Sequence, residues 1–247
     1  MHFAITDYSL FAVGTIGAID LIAATTNAFN GALLARSPSH YRHFTVAGII
    51  LLALAGGIGG GVLRDVLLNV VPAPLVNPWY LIFAIAAAYL ALAINFNRGV
   101  EFRSGLLAFA TSASLPWYAI VGAQKALDAH LGYVAAILIG VIGTTGGRYI
   151  IDISCGLVPK QFLRGEYFVL TAVLTTVLYI VLADMLGLGV IPSTIIAALF
   201  GFTFRLTALW RGWEEVLPHQ PDEMLAGEKK RDTLKEDLAN ELQRTTP

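Results

Sequence analysis

Apolar residues run through this chain in long stretches, cut by short segments of proline, glycine, asparagine or charge. Read as helices, the stretches fall at about 10–34, 44–69, 79–96, 105–127, 132–157, 166–186 and 190–210. Stretches of roughly 20 apolar residues cross the hydrocarbon core of a bilayer, so the pattern predicts seven transmembrane helices. The breaks carry residues that end helices: Ser37-Pro38-Ser39, Pro72-Ala73-Pro74, Asn95-Phe96-Asn97-Arg98-Gly99, Leu131-Gly132, Pro159 and Gly187-Leu188-Gly189. From Glu214 the pattern gives way to a charged segment with a Pro218-His219-Gln220-Pro221 break. Its part from Asp222 to Leu242 reads as an exposed helix or as a disordered tail. The expected organisation is a membrane domain of residues 1–213 followed by a charged cytoplasmic tail, 214–247.

Composition agrees with the pattern. The chain is 56% hydrophobic and 13% charged, with a mean hydropathy of +0.69, whereas soluble domains carry about 25% charged residues. A net charge of −1 identifies no partner, because the charges are unevenly spread along the chain. The start lacks the Lys/Arg of a signal peptide, so the first apolar stretch reads as retained. A single cysteine, Cys155, leaves no internal disulfide and no thiolate metal site. His2, His40, His43, His130 and His219 share no metal-ligand spacing. No nucleotide-binding loop or nucleophile–base pairing is visible, so an enzyme, a bound cofactor, a metal centre and a nucleic-acid partner are not expected.

Lysine and arginine positions predict the orientation. With the N-terminus outside, twelve of the sixteen fall in inside loops or the tail, and only Lys125 falls outside. Arg64, Arg148 and Arg205 lie within spans. The positive-inside rule then favours an external N-terminus, a cytoplasmic C-terminus and an odd number of helices.

Two segments of the pattern repeat. Residues 57–65 read Gly-Ile-Gly-Gly-Gly-Val-Leu-Arg-Asp, and 143–152 read Gly-Thr-Thr-Gly-Gly-Arg-Tyr-Ile-Ile-Asp. Asp65 and Asp152, Pro72 and Pro159, and Tyr80 and Tyr167 are each 87 residues apart. Gly31-Ala32-Leu33-Leu34-Ala35 echoes Gly122-Ala123-Gln124-Lys125-Ala126 at a slightly larger offset. The unit is three helices long, about 10–96 and again about 105–186, with the seventh helix outside the duplication. Three is odd, so the second copy enters the membrane from the opposite side. Inverted repeats of this kind place a site near the midplane, where their broken helices meet.

The motif Gly-Gly-Gly-Val-Leu-Arg-Asp at 59–65, its weaker copy at 146–152 and the paired three-helix units resemble the prokaryotic trimeric intracellular cation (TRIC) channels. The resemblance covers about residues 10–210. It implies an all-α polytopic membrane protein of seven transmembrane helices, built as two inverted three-helix repeats plus a seventh helix. It further implies a homotrimer with one monovalent-cation pore per subunit, with potassium as the expected ion and sodium as a further candidate, lined by glycine-bent helices 2 and 5. Some bacterial relatives of that family are instead assigned as transporters of glycine or similar small solutes, which stays open as the alternative. The expected setting is the prokaryotic cell (inner) membrane.

The candidate residues follow from what lipid disfavours. Gly57, Gly59, Gly60 and Gly61, with Gly143, Gly146 and Gly147, either allow close helix packing or bend the helices so that carbonyls face a cation. Arg64 and Asp65 are neighbours and point about 100° apart on a helix, so partners on other helices are expected for each. Arg148 and Asp152, at i and i+4, can pair directly. Aligned on the aspartates, Gly61 is matched by Arg148 and Arg64 by Ile151, so the two arginines are not equivalent. Polar stripes add Asp20 and Asn27 on the first helix. Thr111, Ser114, Tyr118 and Lys125 lie on the fourth, which Pro116 is expected to kink. Thr144 and Thr145 lie on the fifth, and Thr171, Thr175 and Tyr179 make a weaker stripe on the sixth. Such residues face the bundle interior or water. Lys125 either snorkels outward or hangs into a vestibule.

Overall fold

The computed structural model describes residues 14–37, 40, 43–95, 99–162 and 167–213. The charged segment from 214 onward lies outside the described residues, as do the first thirteen. Among the described residues eight α-helices follow in order: α1 Thr15–Ala35, α2 Val46–Leu67, α3 Ala73–Val76, α4 Trp79–Ala93, α5 Val100–Asp128, α6 Tyr133–Ser154, α7 Phe168–Ile180 and α8 Val190–Arg211. A π-helical turn, Val181–Met185, prolongs α7. Six of these segments are long and apolar enough to cross a membrane, and α4, at 15 residues, is a shorter apolar helix. Spans 2 and 5 of the sequence reading are α2 and α6. Among the described residues there is no strand.

The breaks predicted from sequence end the helices by local chemistry. Thr45 opens α2 by accepting a hydrogen bond from the Gly48 N–H at 3.1 Å. At its other end Asn69 takes a left-handed conformation, and the Val70 N–H reaches back to the Asp65 carbonyl. Eighty-seven residues on, Gly156 is left-handed and the Leu157 N–H bonds the Asp152 carbonyl. The two aspartates thus stand at the same place in the same helix ending. Short α4 is closed by Arg36, whose guanidinium donates to the carbonyls of Ala91 and Ile94.

Inside and outside are inverted relative to a soluble protein. Leu51, Leu63 and Val66 of α2, Val134 and Leu138 of α6 and Leu199 of α8 are exposed. Asp20, Arg64, Asp65 and Asp152 are at most 2% exposed. Lipid accepts the first set and would leave the second without partners.

The centre of the bundle is the contact between α2 and α6. A methyl group added at Gly60 would strike the carbonyl oxygen of Gly143, and one at Gly147 would strike that of Gly56. These two contacts map onto each other when the repeats are exchanged by 87 residues. They also show the helices running antiparallel, with Gly56 opposite Gly147 and Gly60 opposite Gly143. The first helices of each unit dock in matching fashion. Gly31 abuts the Leu52 carbonyl and Ala53, while Gly122 abuts the Ile139 carbonyl and Gly140. The offset is 87 residues on α2 and α6 but 91 on α1 and α5, a surplus of about one helical turn.

Both α2 and α6 are continuous helix through their glycine clusters. The glycines lie where backbones touch, which is the packing role. Helix α5 likewise continues through Pro116, with Gly201 of α8 against the proline ring. A methyl at Gly60 or Gly147 must push two backbones apart. We expect Gly60→Ala and Gly147→Ala each to destabilise the protein by about 1–3 kcal/mol. Gly105→Ala, in open space on α5, should be neutral or stabilising by up to roughly 1 kcal/mol. Thermal unfolding in detergent compares the three.

Candidate functional site

Beyond the crossing, α2 carries two consecutive charges, and three helices converge on them. The Arg64 guanidinium is 1% exposed. Its Nη1 and Nη2 donate to Oδ1 and Oδ2 of Asp20 on α1 at 3.0 and 2.8 Å, a bidentate fork. Its Nε donates to Asp65 Oδ1 at 2.8 Å. Partners on other helices, expected for both neighbours, are present, and Arg64 in addition bonds Asp65 directly. Their Cα–Cβ bonds diverge, but the arginine side chain is long enough to curl back while also reaching α1.

Lys125 of α5 completes the group. Its Nζ lies 3.0 Å from Asp20 Oδ2 and 3.0 Å from Asp65 Oδ1. The expected choice between snorkelling and a vestibule is corrected: the side chain turns inward and remains 21% exposed. Asp65 Oδ2 also accepts from the Ala73 N–H at 3.1 Å, tying α3 to the cluster. Two carboxylates and two cations make the group neutral, as burial demands of charges drawn from water. Tyr118 lies beneath it. Its ring faces the Arg64 guanidinium at 5.8 Å, its hydroxyl donates to the Gly57 carbonyl, and its edge fills the space beside Gly61.

A second ionic group surrounds Asp152. Arg148 Nε and His40 Nε2 each lie 2.8 Å from Asp152 Oδ1. The i, i+4 pairing read from sequence is present. His40, passed over as a metal ligand in the sequence, enters instead as a hydrogen-bond partner of Asp152, with its Nδ1 3.1 Å from Ser37 Oγ. A lone histidine in a loop gives no signal of this; only the fold brings it to a residue 112 positions away. Asp65 and Asp152 lie on opposite sides of the antiparallel crossing, each roughly 10 Å from it along its helix. Each meets a basic group from the far end of the other unit's first helix: Lys125 on α5 for Asp65, and His40 just past α1 for Asp152.

The remaining candidates serve as bridges and packing. Asn27 Nδ2 donates to the Ser114 carbonyl at 3.2 Å, and Thr111 donates to Asn30 Oδ1 at 3.1 Å, so both join α1 to α5. Thr144 and Thr145 donate to the carbonyls of Gly140 and Val141 in their own helix. Gly57 packs on Ala24 and Ala28 of α1, Gly59 on Ile150 and Gly146 on Leu63. Arg205 stands over the Phe168 ring at 5.1 Å. No group of three or more His, Cys, Asp or Glu suited to a metal occurs among the described residues.

Comparison with known proteins matches this architecture twice. A family model described as glycine transporter matches residues 17–95 and again 108–184, the two repeat units. A UPF0126 membrane protein of Deinococcus radiodurans is 32% identical over 156 residues, covering 62% of this chain and 69% of that protein. The TRIC trimeric intracellular cation channel orthologue from Rhodobacter sphaeroides superposes with a TM-score of 0.68 at 26% identity, covering 80% of this chain and 98% of the other. A prokaryotic TRIC channel crystallised in 0.5 M KCl gives 0.71 at 20% identity, over 80% and 97%. The chain therefore has the TRIC channel fold, as its motifs led us to expect, and is a multi-pass membrane protein.

Because Arg64 and Asp20 satisfy each other in the interior, losing one strands the other. We expect Arg64→Gln and Asp20→Asn each to lower the unfolding temperature. The double variant should be less destabilised than the sum, with a coupling of about 1–3 kcal/mol in a double-mutant cycle; additive losses would show that the pair does not act as a unit.

Proposed function

We propose that this chain, which belongs to the glycine transporter family, forms a gated pathway for monovalent cations, potassium above all, through each subunit of a homotrimer. The observation that carries the reading is the pair of aspartate-centred ionic groups on opposite sides of the α2–α6 crossing. Each carboxylate is occupied by a cation belonging to the protein itself. Sites that hold cations in the closed arrangement are the natural stations for a permeating cation once those groups part. All three nitrogens of the Arg64 guanidinium face carboxylate oxygens, so that group offers an anion nothing. The likeness to TRIC cation channels of 25–26% identity supports the same reading.

The pathway we infer follows α2 and α6, passing Gly57 to Gly61 and Gly143 to Gly147, with Tyr118 and the Asp20–Arg64–Asp65–Lys125 group closing one end. Arg148 and Asp152 close the other. The count of lysines and arginines supports an external N-terminus and a cytoplasmic charged tail in a prokaryotic inner membrane.

A carrier for glycine is the second reading. The family match favours it, and so does Arg148 Nη2, a buried donor without a hydrogen-bond partner that could take a substrate carboxylate. A planar bilayer separates the two. Discrete potassium currents from purified protein are expected. Absent currents together with saturable glycine uptake into liposomes would replace the channel with the carrier. Asp65→Asn and Asp152→Asn should each reduce cation flux several-fold; unchanged flux in both would remove the carboxylates from the conduction path.

A further inference from the structure

The two repeat units differ just past the helices that cross. Short α3 follows α2, and the helical turn Lys160–Phe162 stands in its place after α6. At the 87-residue offset, Ile58, Gly61 and Pro74 of the first unit are matched by Thr145, Arg148 and Gln161 of the second. Three residues without a polar side chain give way to three that have one. The fold brings those three together. Gln161 Nε2 donates to the Thr145 carbonyl at 3.2 Å. In an α-helix that carbonyl faces the next turn, between the side chains at 148 and 149. Phe162 accordingly meets the Tyr149 ring edge-on at 5.9 Å. The Gln161 amide is thereby set on the turn of α6 that carries Arg148.

Two atoms on that turn lack what burial demands. Arg148 Nε is engaged by Asp152 Oδ1 at 2.8 Å. Its Nη2 and Gln161 Oε1 are buried and have no hydrogen-bond partner among the described residues. The orientation of the amide is set by the Thr145 carbonyl, which takes only a donor, so Nε2 faces it and Oε1 faces away. One donor and one acceptor are left, each costly to leave unmade in the interior. The Arg148–Asp152 pair is already neutral, so a ligand of no net charge adds nothing uncompensated to it. The Arg148 side chain is 11% exposed, so the turn is reached from the surface.

We propose that Arg148 and Gln161 form a binding subsite for a small solute, neutral overall, that presents a hydrogen-bond acceptor beside a donor, as a primary carboxamide or a zwitterionic amino acid does. The ligand's acceptor takes the Arg148 Nη2 hydrogen, and its donor bonds Gln161 Oε1. Asp152 and the Thr145 carbonyl hold the two side chains in place from behind. The first unit has no counterpart, because Gly61 and Pro74 supply neither group. The inference goes beyond both transport readings, since it rests on these two side chains whether the chain conducts cations or carries a solute.

Thermal unfolding of the purified protein reads occupancy without a transport assay. Acetamide and glycine are the probes. Acetate and methylammonium, each carrying one half of the pattern with a net charge, are the comparisons. At least one probe should raise the unfolding temperature saturably in the millimolar range, and neither comparison should match it at equal ionic strength. A shift with glycine alone identifies a site for zwitterions, with acetamide alone a site for carboxamides, and with both a site for either. Arg148→Lys keeps a cation beside Asp152 and removes the second donor, and Gln161→Leu removes the acceptor. Each should raise the half-effect concentration about tenfold.

No shift with either probe, the result of a turn that holds only water, overturns the proposal. A shift that acetate or methylammonium reproduces, or one unchanged in both variants, overturns it too. The four solutes are compared on the unaltered protein, so the outcome stands even where a variant fails to fold. Glycine binding without glycine uptake upholds the subsite and counts against the carrier, so the two fail separately.

Discussion

The protein is organised by backbone contact between α2 and α6. Where Gly56 and Gly60 meet Gly147 and Gly143, no side chain separates the helices, and the carbonyl oxygens of one lie against the α-carbons of the other. In lipid, where burying apolar surface between helices gains little, such contact supplies the packing that holds a pair together. The crossing falls near the middle of both helices. Equal lengths therefore extend on either side, and because the pair is antiparallel, residues that correspond in the repeat emerge at opposite ends. Asp65 and Asp152 are one residue in the repeat and two positions in the membrane.

From that arrangement the charges follow. Each aspartate is carried into the interior on an apolar helix, and each meets a basic side chain from the other unit, Lys125 of α5 for Asp65 and His40 just past α1 for Asp152. The ends are then built differently. Near Asp65 the one-turn surplus of α5 over α1 and the presence of Asp20 assemble four charges from three helices. Near Asp152 the arginine has moved a turn earlier and lies on the same helix, so a histidine from the loop after α1 completes the pairing. The two ends are thus unequal in a fold whose helices are otherwise nearly symmetric.

Much of this was legible along the chain. The approximate places of the long helices, the duplication, the surplus offset of the first helices, the importance of both glycine clusters and the Arg148–Asp152 pair are local or periodic properties. The glycines' close-packing role, read beside a bending role, was legible for the same reason, since four-residue spacing of small residues is itself a surface description of a helix. Arg64 bonding its own neighbour escaped the reading because helical angles describe where a side chain leaves the backbone, not where a six-atom arm ends. Lys125 escaped because snorkelling depends on what lies inward, which its own helix does not encode.

By itself, then, the sequence determined where the long apolar helices fall along the chain, the 87-residue duplication, and the positions at which charge would be forced among them. These rest on hydropathy, on helix-ending residues and on counting, which act over a turn or two of chain. Only the tertiary structure decided which charge meets which: Asp20 with Arg64 across 44 residues, Lys125 with Asp65 across 60 and His40 with Asp152 across 112. The reason is physical. Pairing in the interior is set by the crossing geometry of the helices and the reach of side chains, and the same polar stripe would find different partners if α2 met α6 one turn higher.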